Sequence, residues 1–155
     1  MNRVAVNAVD IPLPDWSGAL GDFAVKVLAE AERDNWDLSV LLCTDETIKA
    51  LNTQYRNVAE ATDVLSFELG AEVNGESGRR YLPGDIVISL DTLRENSVYF
   101  NIGEDEELRR LLIHGILHLN GMNHRTNNND EPMIVLQENI LEKLKEERIL
   151  PGGAA

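Results

Sequence analysis

Three histidines in one short segment are the residues of this chain best suited to chemistry. All 3 histidines, His114, His118 and His124, fall in one segment that also contains Gly121. Residues four apart lie on one face of a helix, so two imidazoles placed there can meet one ion. Gly121 is the residue type that ends a helix in a left-handed conformation, after which the chain can return His124 to the same point. The spacing predicts a transition-metal site with three nitrogen ligands and an open position, as in catalytic zinc sites.

The expected ion is Zn²⁺, and imidazole ligands also accept other transition metals such as nickel, copper or iron. A cation held by three neutral imidazoles keeps its positive charge, so it can activate a bound water and polarise a phosphoryl oxygen. The spacing resembles the long zinc motif of the metzincin peptidases, HExxHxxGxxH, in which the glutamate is the general base. Gly115 stands in the glutamate's place. A peptidase mechanism of that kind therefore lacks its base.

Length and composition are those of a soluble globular protein. The chain has 155 residues, of which 43% are hydrophobic and 26% charged, and this predicts one domain over residues 1–150 with a disordered tail at 151–155. No apolar run approaches the roughly 20 residues that span a bilayer, and the N-terminus lacks a signal-peptide architecture. A cytoplasmic location without membrane contact is expected. The single cysteine, Cys43, excludes an intramolecular disulfide and is interpreted as a small buried hydrophobe.

Net charge restricts the partners. The chain carries 27 acidic against 14 basic residues, a formal net charge of −13. Such a chain repels a polyanion at long range and lacks the broad basic face of a typical nucleic-acid binder. Any contact with nucleic acid must therefore be local, assisted by the metal, or arranged by a partner protein.

The elements that position the histidines follow from hydrophobic periodicity. Strands are predicted at 3–9, 38–43, 63–69 and 85–90, with a break at 74–78 between the last two. Helices are predicted at about 15–33, after a cap at Thr44 or Asp45, and after Asp91, Asp105 and Asp130 or Glu131. This order predicts an α+β domain with a mixed sheet of about four strands covered by helices, and with the three-histidine metal site at a helix end.

Four motifs in order carry a resemblance to a known family. They are LNxxYR at 51–56, TDVLSF at 62–67, GDI at 84–86, and the histidine segment at 114–124. Over about residues 51–137 the chain resembles the YbeY family of bacterial metal-dependent endoribonucleases and ribosomal RNA maturation factors. The family usually has an aspartate before its third histidine, where this chain has Asn123, and often Gln-Ala where this chain has Asn96-Ser97. A carboxylate beside a metal ligand orients the ligand and raises the ligand's basicity. Because Asn123 lacks that carboxylate, it is expected to lower metal affinity without abolishing it.

The resemblance implies both the reaction and the residues that perform it. Its metal ligands correspond to His114, His118 and His124, and its functional arginine to Arg56, which is expected to be catalytic. The implied activity is single-strand endoribonuclease cleavage in the maturation of ribosomal RNA ends and in ribosome quality control, in the cytoplasm. The implied partners are ribosomal RNA and ribosomal or ribosome-associated proteins, with no DNA.

Several residues near these motifs keep two interpretations. Arg56 presents a fork suited to a phosphate, but an arginine at a helix end also serves the negative end of the helix dipole. Asp63 and Asp85 are either partners of the site or, more commonly, turn and cap residues. Ser66 either belongs to the site or only faces a polar side of the sheet. A basic rim around the site would consist of Arg79, Arg80 and Arg125, which are otherwise interpreted as solvated side chains.

Two rival functions remain open from the residues alone. The first is a zinc peptidase-like hydrolase, which assays on labelled RNA and casein with and without chelator would separate from a nuclease. The second is a non-catalytic ribosome-assembly factor in which the metal only holds the helix end. Unchanged RNA cleavage with lost ribosome association in Arg56→Ala would favour the assembly factor.

Overall fold

The computed structural model describes residues 1–76, 78–122, 128 and 130–151. Along these residues the elements follow the order β1 (Arg3–Ala8), α1 (Ser17–Glu30), β2 (Asp37–Cys43), α2 (Asp45–Arg56), β3 (Val64–Gly75), β4 (Gly78–Ser89), α3 (Leu90–Tyr99), α4 (Glu104–Leu119) and α5 (Pro132–Lys143). No helix in these ranges is both long enough and apolar enough to cross a membrane. The tail predicted at 151–155 lies, apart from Pro151, outside the described residues.

One mixed sheet organises the molecule. Its strand order is β1-β2-β4-β3, with β1, β2 and β4 parallel and β3 antiparallel to β4. The prediction of an α+β fold with a mixed four-stranded sheet is confirmed.

The two faces of the sheet pack against different helices because successive side chains of a strand point to opposite sides. One face packs into the larger apolar cluster, which α1 and α4 complete, through Val40, Leu42, Ile86 and Ile88. The other face packs against Ile48 of α2 through Cys43 and Val87. The central strands β2 and β4 are therefore covered on both sides, as their near-continuous apolar runs predict.

Cys43 is fully buried at the end of β2, as predicted. Its thiol donates a long hydrogen bond to the carbonyl of Ile88, with Sγ 3.6 Å from the oxygen. Burial, together with the nearby Asp45 carboxylate, raises the pKa of the Cys43 thiol to about 11.

The β3–β4 hairpin is longer than predicted. The turn falls where expected, at Gly75 and Gly78, but the strands extend well beyond 69 and begin well before 85. Contacts with a segment distant in sequence fix the extension. The backbone N–H of Tyr81 donates to the carbonyl of Asn35 at 2.8 Å, and its ring lies 5.0 Å from that of Trp36. These contacts cannot be predicted from the local sequence. The hydrophobic periodicity of residues 70–84 therefore underestimates the length of β3 and β4.

A glycine lets β3 and β4 approach where their register shifts. Gly84 has φ +137°, a conformation that side chains rarely adopt, and a Cβ there would lie 1.9 Å from the carbonyl oxygen of Phe67. The shift falls between Glu68 and Ala71. This close approach fixes the course of β3 beside the candidate site described next.

Candidate metal centre

Helix α4 presents two of the three histidines on one face. His114 and His118 are half-buried, while Leu112, Ile113 and Ile116 are fully buried beneath them. The Nε2 atoms of the two imidazoles lie 3.1 Å apart, and the rings meet edge to face at 4.6 Å. The helix begins with four acidic residues, which suit the positive end of its dipole.

The glycine between them explains the departure from the peptidase motif. A Cβ on Gly115 would meet the side chain of Ile86 at 3.0–3.2 Å. This position thus faces the sheet, with no room for a glutamate, and it points away from the cleft in which the histidines lie. The place of the peptidase base is used here for packing α4 onto β4.

Gln137 of α5 orients His114. Its Oε1 accepts a hydrogen bond from Nδ1 of His114 at 2.6 Å, and its side chain is 5% exposed. Because Nε2 of Gln137 donates to Glu138 at 3.1 Å, the amide oxygen is the atom that faces the imidazole. A His114 that donates through Nδ1 keeps its lone pair on Nε2, the nitrogen nearest His118.

An ion-pair network supports Gln137. Arg110 forms two hydrogen bonds with the Glu138 carboxylate, at 3.0 and 3.1 Å, and a third with Glu106 at 3.2 Å. Burial opposes the ionisation of Glu138, but the hydrogen bonds from Arg110 and Gln137 outweigh it and lower the pKa of this carboxyl. The negative charge of Glu138 is thereby held next to the amide that faces His114.

Glu107 also lies close to Arg110. Its carboxylate oxygen is 3.7 Å from Nη1 of Arg110, and the residue is 5% exposed. Burial raises the pKa of Glu107; Arg110 offsets this only in part, and the charge of Asp63 raises it further.

Arg56 reaches β3 from the last turn of α2. Its Nη2 donates to the carbonyl of Ser66 at 2.7 Å, and its guanidinium carbon lies 5.7 Å from the Phe67 ring centre. The carbonyls at the end of α2 are instead engaged by the backbone N–H groups of Asn57, which is left-handed with φ +58°, and Val58. Arg56 thus places a positive charge in the last turn of α2 and also bonds to β3.

One cleft joins the arginine to the histidines. It has a volume of about 620 Å³ and is lined by Arg56, His114 and His118, together with Tyr55 and Phe67. A second cavity of about 490 Å³ adjoins it, since His114 and Asp63 line both cavities. Three of the four residues predicted for the site are thus brought to one place.

The fourth, His124, lies outside the described residues, as do Asn123 and Arg125. Among the residues that are described, no group of three histidine, cysteine, aspartate or glutamate side chains could hold a metal ion. The two imidazoles nonetheless fit one. Zinc–nitrogen bonds of about 2.0–2.1 Å at a tetrahedral angle separate two ligand nitrogens by about 3.3 Å, close to the 3.1 Å between the Nε2 atoms.

The other polar candidates have structural contacts. Asp63 accepts hydrogen bonds from the backbone of Val64 at 2.8 Å and from Nδ2 of Asn96 at 3.1 Å. The hydroxyl of Ser97 donates to the carbonyl of Ile102 at 2.6 Å. Asn96 and Ser97, which replace the usual Gln-Ala of the family, therefore connect α3 to neighbouring segments. Asn96 also holds the Asp63 carboxylate in place at the cleft.

The prediction of a basic rim around the site is wrong for Arg79 and Arg80. Arg80 is 6% exposed and pairs with Asp37 at 2.7 Å, while Arg79 pairs with Glu72 at 3.4 Å, and neither lines the cleft of the histidines. A hydrogen bond from Arg80 lowers the pKa of Asp37. For Arg80 both interpretations, rim and solvated side chain, are wrong, because β4 continues through it and places it against Asp37 at the start of β2.

Gln137 is the contributor to the site that sequence reasoning missed. It occurs at helical spacing with Met133, Ile140 and Leu141, all of which are buried. A single amide on the apolar face of a helix requires a buried partner. That pattern was the available signal, although it does not name His114 as the partner.

Comparisons with known proteins identify the family. A family model described as Endoribonuclease YbeY matches residues 10–145. A protein named Endoribonuclease YbeY from Treponema pallidum is 45% identical over 142 residues, covering 91% of this chain and 89% of the relative. Its namesake from Treponema denticola is 49% identical over 125 residues, covering 80% and 81%.

The fold is similar to that of a solved structure. The solution structure of a Thermotoga maritima protein matches with a TM-score of 0.61 at 27% identity, covering 92% of this chain and 90% of that one. The family match over most of the chain and the level of identity to these relatives lead to one conclusion: the chain belongs to the endoribonuclease YbeY family.

Proposed function

We propose that this chain is a metal-dependent endoribonuclease that cleaves single-stranded RNA in the maturation of ribosomal RNA ends and in ribosome quality control. Family membership supports the reaction class. Ribosomal RNA is the proposed substrate, ribosomal or ribosome-associated proteins are the proposed partners, and the cytoplasm is the proposed location. Residues 1–150 are proposed to work as one hydrolase domain.

The proposed metal ligands are His114, His118 and His124, with Zn²⁺ as the preferred ion. The observation that carries the proposal is the 3.1 Å approach of two imidazole Nε2 atoms on the wall of the cleft that Arg56 also lines. Neutral nitrogen donors leave a cation its full charge, which a reaction on a phosphodiester requires.

The residues of the cleft divide the work. A cation bound there would supply Lewis-acid chemistry and lower the pKa of a coordinated water towards about 7. Gln137 holds the proton of His114 on Nδ1, so that the Nε2 lone pair faces the proposed ion. Arg56 is proposed as the catalytic residue that binds the phosphate through its planar fork. Its bond to the Ser66 carbonyl fixes the guanidinium at the cleft.

The net charge of −13 is compatible with this arrangement, because the cation and Arg56 bring positive charge to one place only. Long-range attraction between protein and RNA is then weak. We therefore propose that a partner protein brings the enzyme to the ribosome.

The rival functions are less well supported. In a peptidase of the metzincin kind the base follows the first histidine, but here that position packs against Ile86. A purely structural role for the metal does not account for a cleft that opens beside both histidines and contains Arg56.

The test is cleavage of labelled single-stranded RNA by the full chain after metal removal and after re-addition of Zn²⁺, Ni²⁺, Mn²⁺ or Fe²⁺. Cleavage should be lost with chelator, return with at least one ion, and be absent in His118→Ala. Casein should stay intact throughout. RNA cleavage that survives both the chelator and His118→Ala would overturn the proposal.

Arg56→Ala should lower kcat by about a hundredfold or more, the usual cost of losing one group that stabilises transition-state charge. The matched control is Arg94→Ala, since Arg94 is an exposed arginine of α3 that does not line the cleft. Unchanged cleavage in Arg56→Ala, with lost ribosome association, would instead favour an assembly factor.

A further inference from the structure

An exposed aromatic residue lies at the cleft beside Arg56. Tyr55 is 63% exposed, although it lines the cleft that contains His114 and His118. Its ring meets that of Phe67 edge to face, with centres 5.5 Å apart and planes at 68°. Such a contact fixes the ring and leaves much of its apolar surface in water.

The adjacent arginine has donors to spare. Arg56 uses one bond to the Ser66 carbonyl, and a guanidinium carries five N–H donors. Within the described ranges it forms no ion pair with a carboxylate, whereas Arg79, Arg80 and Arg110 each do. In a chain with 27 acidic residues, an arginine without a carboxylate partner at a cleft is suited to an anion from outside.

An aromatic face next to a phosphate-binding cation matches the chemistry of one nucleotide. Proteins bind single strands by stacking bases on aromatic rings while basic side chains hold the backbone, and stacking tolerates any base. A duplex offers no free base face, since its bases are stacked on one another.

Resting on the function proposed above, we propose that Tyr55 and Arg56 form a nucleotide subsite, in which the base stacks on the Tyr55 ring and the adjoining phosphate binds Arg56. Phe67 contacts both groups, because its ring meets the Tyr55 ring and lies beneath the Arg56 guanidinium. The subsite lies in the same cleft as the histidines, so it holds the strand next to the reacting phosphodiester. It requires an unpaired base at that position, and this restricts the substrate to single-stranded RNA.

The experiment separates binding from cleavage. The full chain is kept in chelator at low salt and titrated with a single-stranded RNA that carries 2-aminopurine, whose fluorescence is quenched by stacking. Tyr55→Ala should weaken binding about tenfold and abolish the quenching on the protein. Tyr55→Phe, which keeps the ring, should retain both. An RNA with an abasic nucleotide should bind the wild type as weakly as the intact RNA binds Tyr55→Ala.

The control variant is Tyr99→Ala. Tyr99 is 83% exposed and meets Phe100 edge to face, as Tyr55 meets Phe67, but it lies on α3 and does not line the cleft. This variant should bind RNA like the wild type. Equal losses in Tyr99→Ala and Tyr55→Ala, or normal binding and quenching in Tyr55→Ala, would overturn the subsite.

The outcomes distinguish the subsite from the function on which it rests. Metal-dependent cleavage by the wild type together with normal stacking in Tyr55→Ala would reject the subsite and leave the nuclease intact. Ring-dependent quenching in a protein that cleaves no RNA with any ion would retain an RNA-binding site and reject the nuclease.

Discussion

Oε1 of Gln137 accepts a hydrogen bond from Nδ1 of His114 at 2.6 Å, from a helix 23 residues further along the chain. This contact assigns the proton of the imidazole to the nitrogen that points away from the cleft. Gln137 would therefore prepare the proposed metal site without itself binding the ion.

Replacing Gln137 by leucine should lower the affinity for Zn²⁺ about ten- to a hundredfold, because His114 loses the acceptor that fixes its tautomer and ring orientation. Competition with a chromophoric chelator measures the affinity. Val135→Ala, an exposed position of the same helix, is the control and should bind Zn²⁺ normally. In the metal-free wild type, ¹⁵N shifts of the His114 ring should report the Nδ1–H form, and in Gln137→Leu a mixture. Identical shifts and affinities in the two proteins would contradict this role.

Gly115→Ala should show a packing conflict with Ile86. Alanine raises helix propensity by about 1 kcal/mol, while overpacking at a contact of 3.0 Å costs about 1–3 kcal/mol. In the Ile86→Ala background the steric overlap is removed, and only the gain in helix propensity from Gly115→Ala remains. A double-mutant cycle from urea denaturation should give a coupling of about 1 kcal/mol or more. Additive effects would show that α4 and β4 relax freely at this point.

Gly84→Ala should be among the most destabilising single-methyl changes. The new Cβ would overlap the Phe67 carbonyl, and φ +137° is itself unfavourable for alanine. Gly78→Ala is the matched control, since Gly78 also has a positive φ, +110°, but a Cβ there meets nothing within 4 Å. We expect Gly78→Ala to cost about 1–3 kcal/mol from strain and Gly84→Ala distinctly more. Equal losses in denaturation midpoint would show that strain alone decides.

Glu107→Gln should change stability in a pH-dependent way. Burial raises the pKa of Glu107 above its ordinary value of 4.5, so the folded state holds this proton more tightly than the unfolded chain. The corresponding stability is full below the unfolded pKa and is lost as pH rises through the folded pKa. Glutamine stays neutral at every pH. The stability of Glu107→Gln relative to the wild type should therefore increase between pH 4 and pH 7.5.

Urea midpoints at the two pH values measure that gain. Glu95→Gln, at an exposed position of α3, is the control. A variant of Glu107 that instead loses stability relative to the wild type as pH rises would mean that the pair with Arg110 outweighs burial.

The parts of the fold that were predictable depend on local pattern. The facing of His114 and His118 follows from their spacing on a helix, and Thr44 was one of two candidates for the residue that caps α2 and accepts from Thr47. The pairing of β3 with β4 all the way to their turn could not be predicted from local pattern. It depends on Arg80 reaching Asp37, 43 residues away, and local periodicity carries no information about such a contact.

The candidate site divides in the same way. The approach of the His114 and His118 imidazoles could be predicted from their own segment, whereas the position of Arg56 followed from a resemblance and not from spacing. Gln137 escaped prediction because its partner lies on another helix. Residues that bind an ion are often close in sequence, while those that orient them are supplied by tertiary packing.

The inert thiol of Cys43 has a practical consequence. Because its sulfur is buried and its pKa is raised to about 11, we expect it to react negligibly with maleimides in the native protein, since only the thiolate is nucleophilic. A cysteine introduced at an exposed position such as Val98 would therefore be modified selectively. Spin labels and fluorophores can be attached to this chain without first removing its native cysteine.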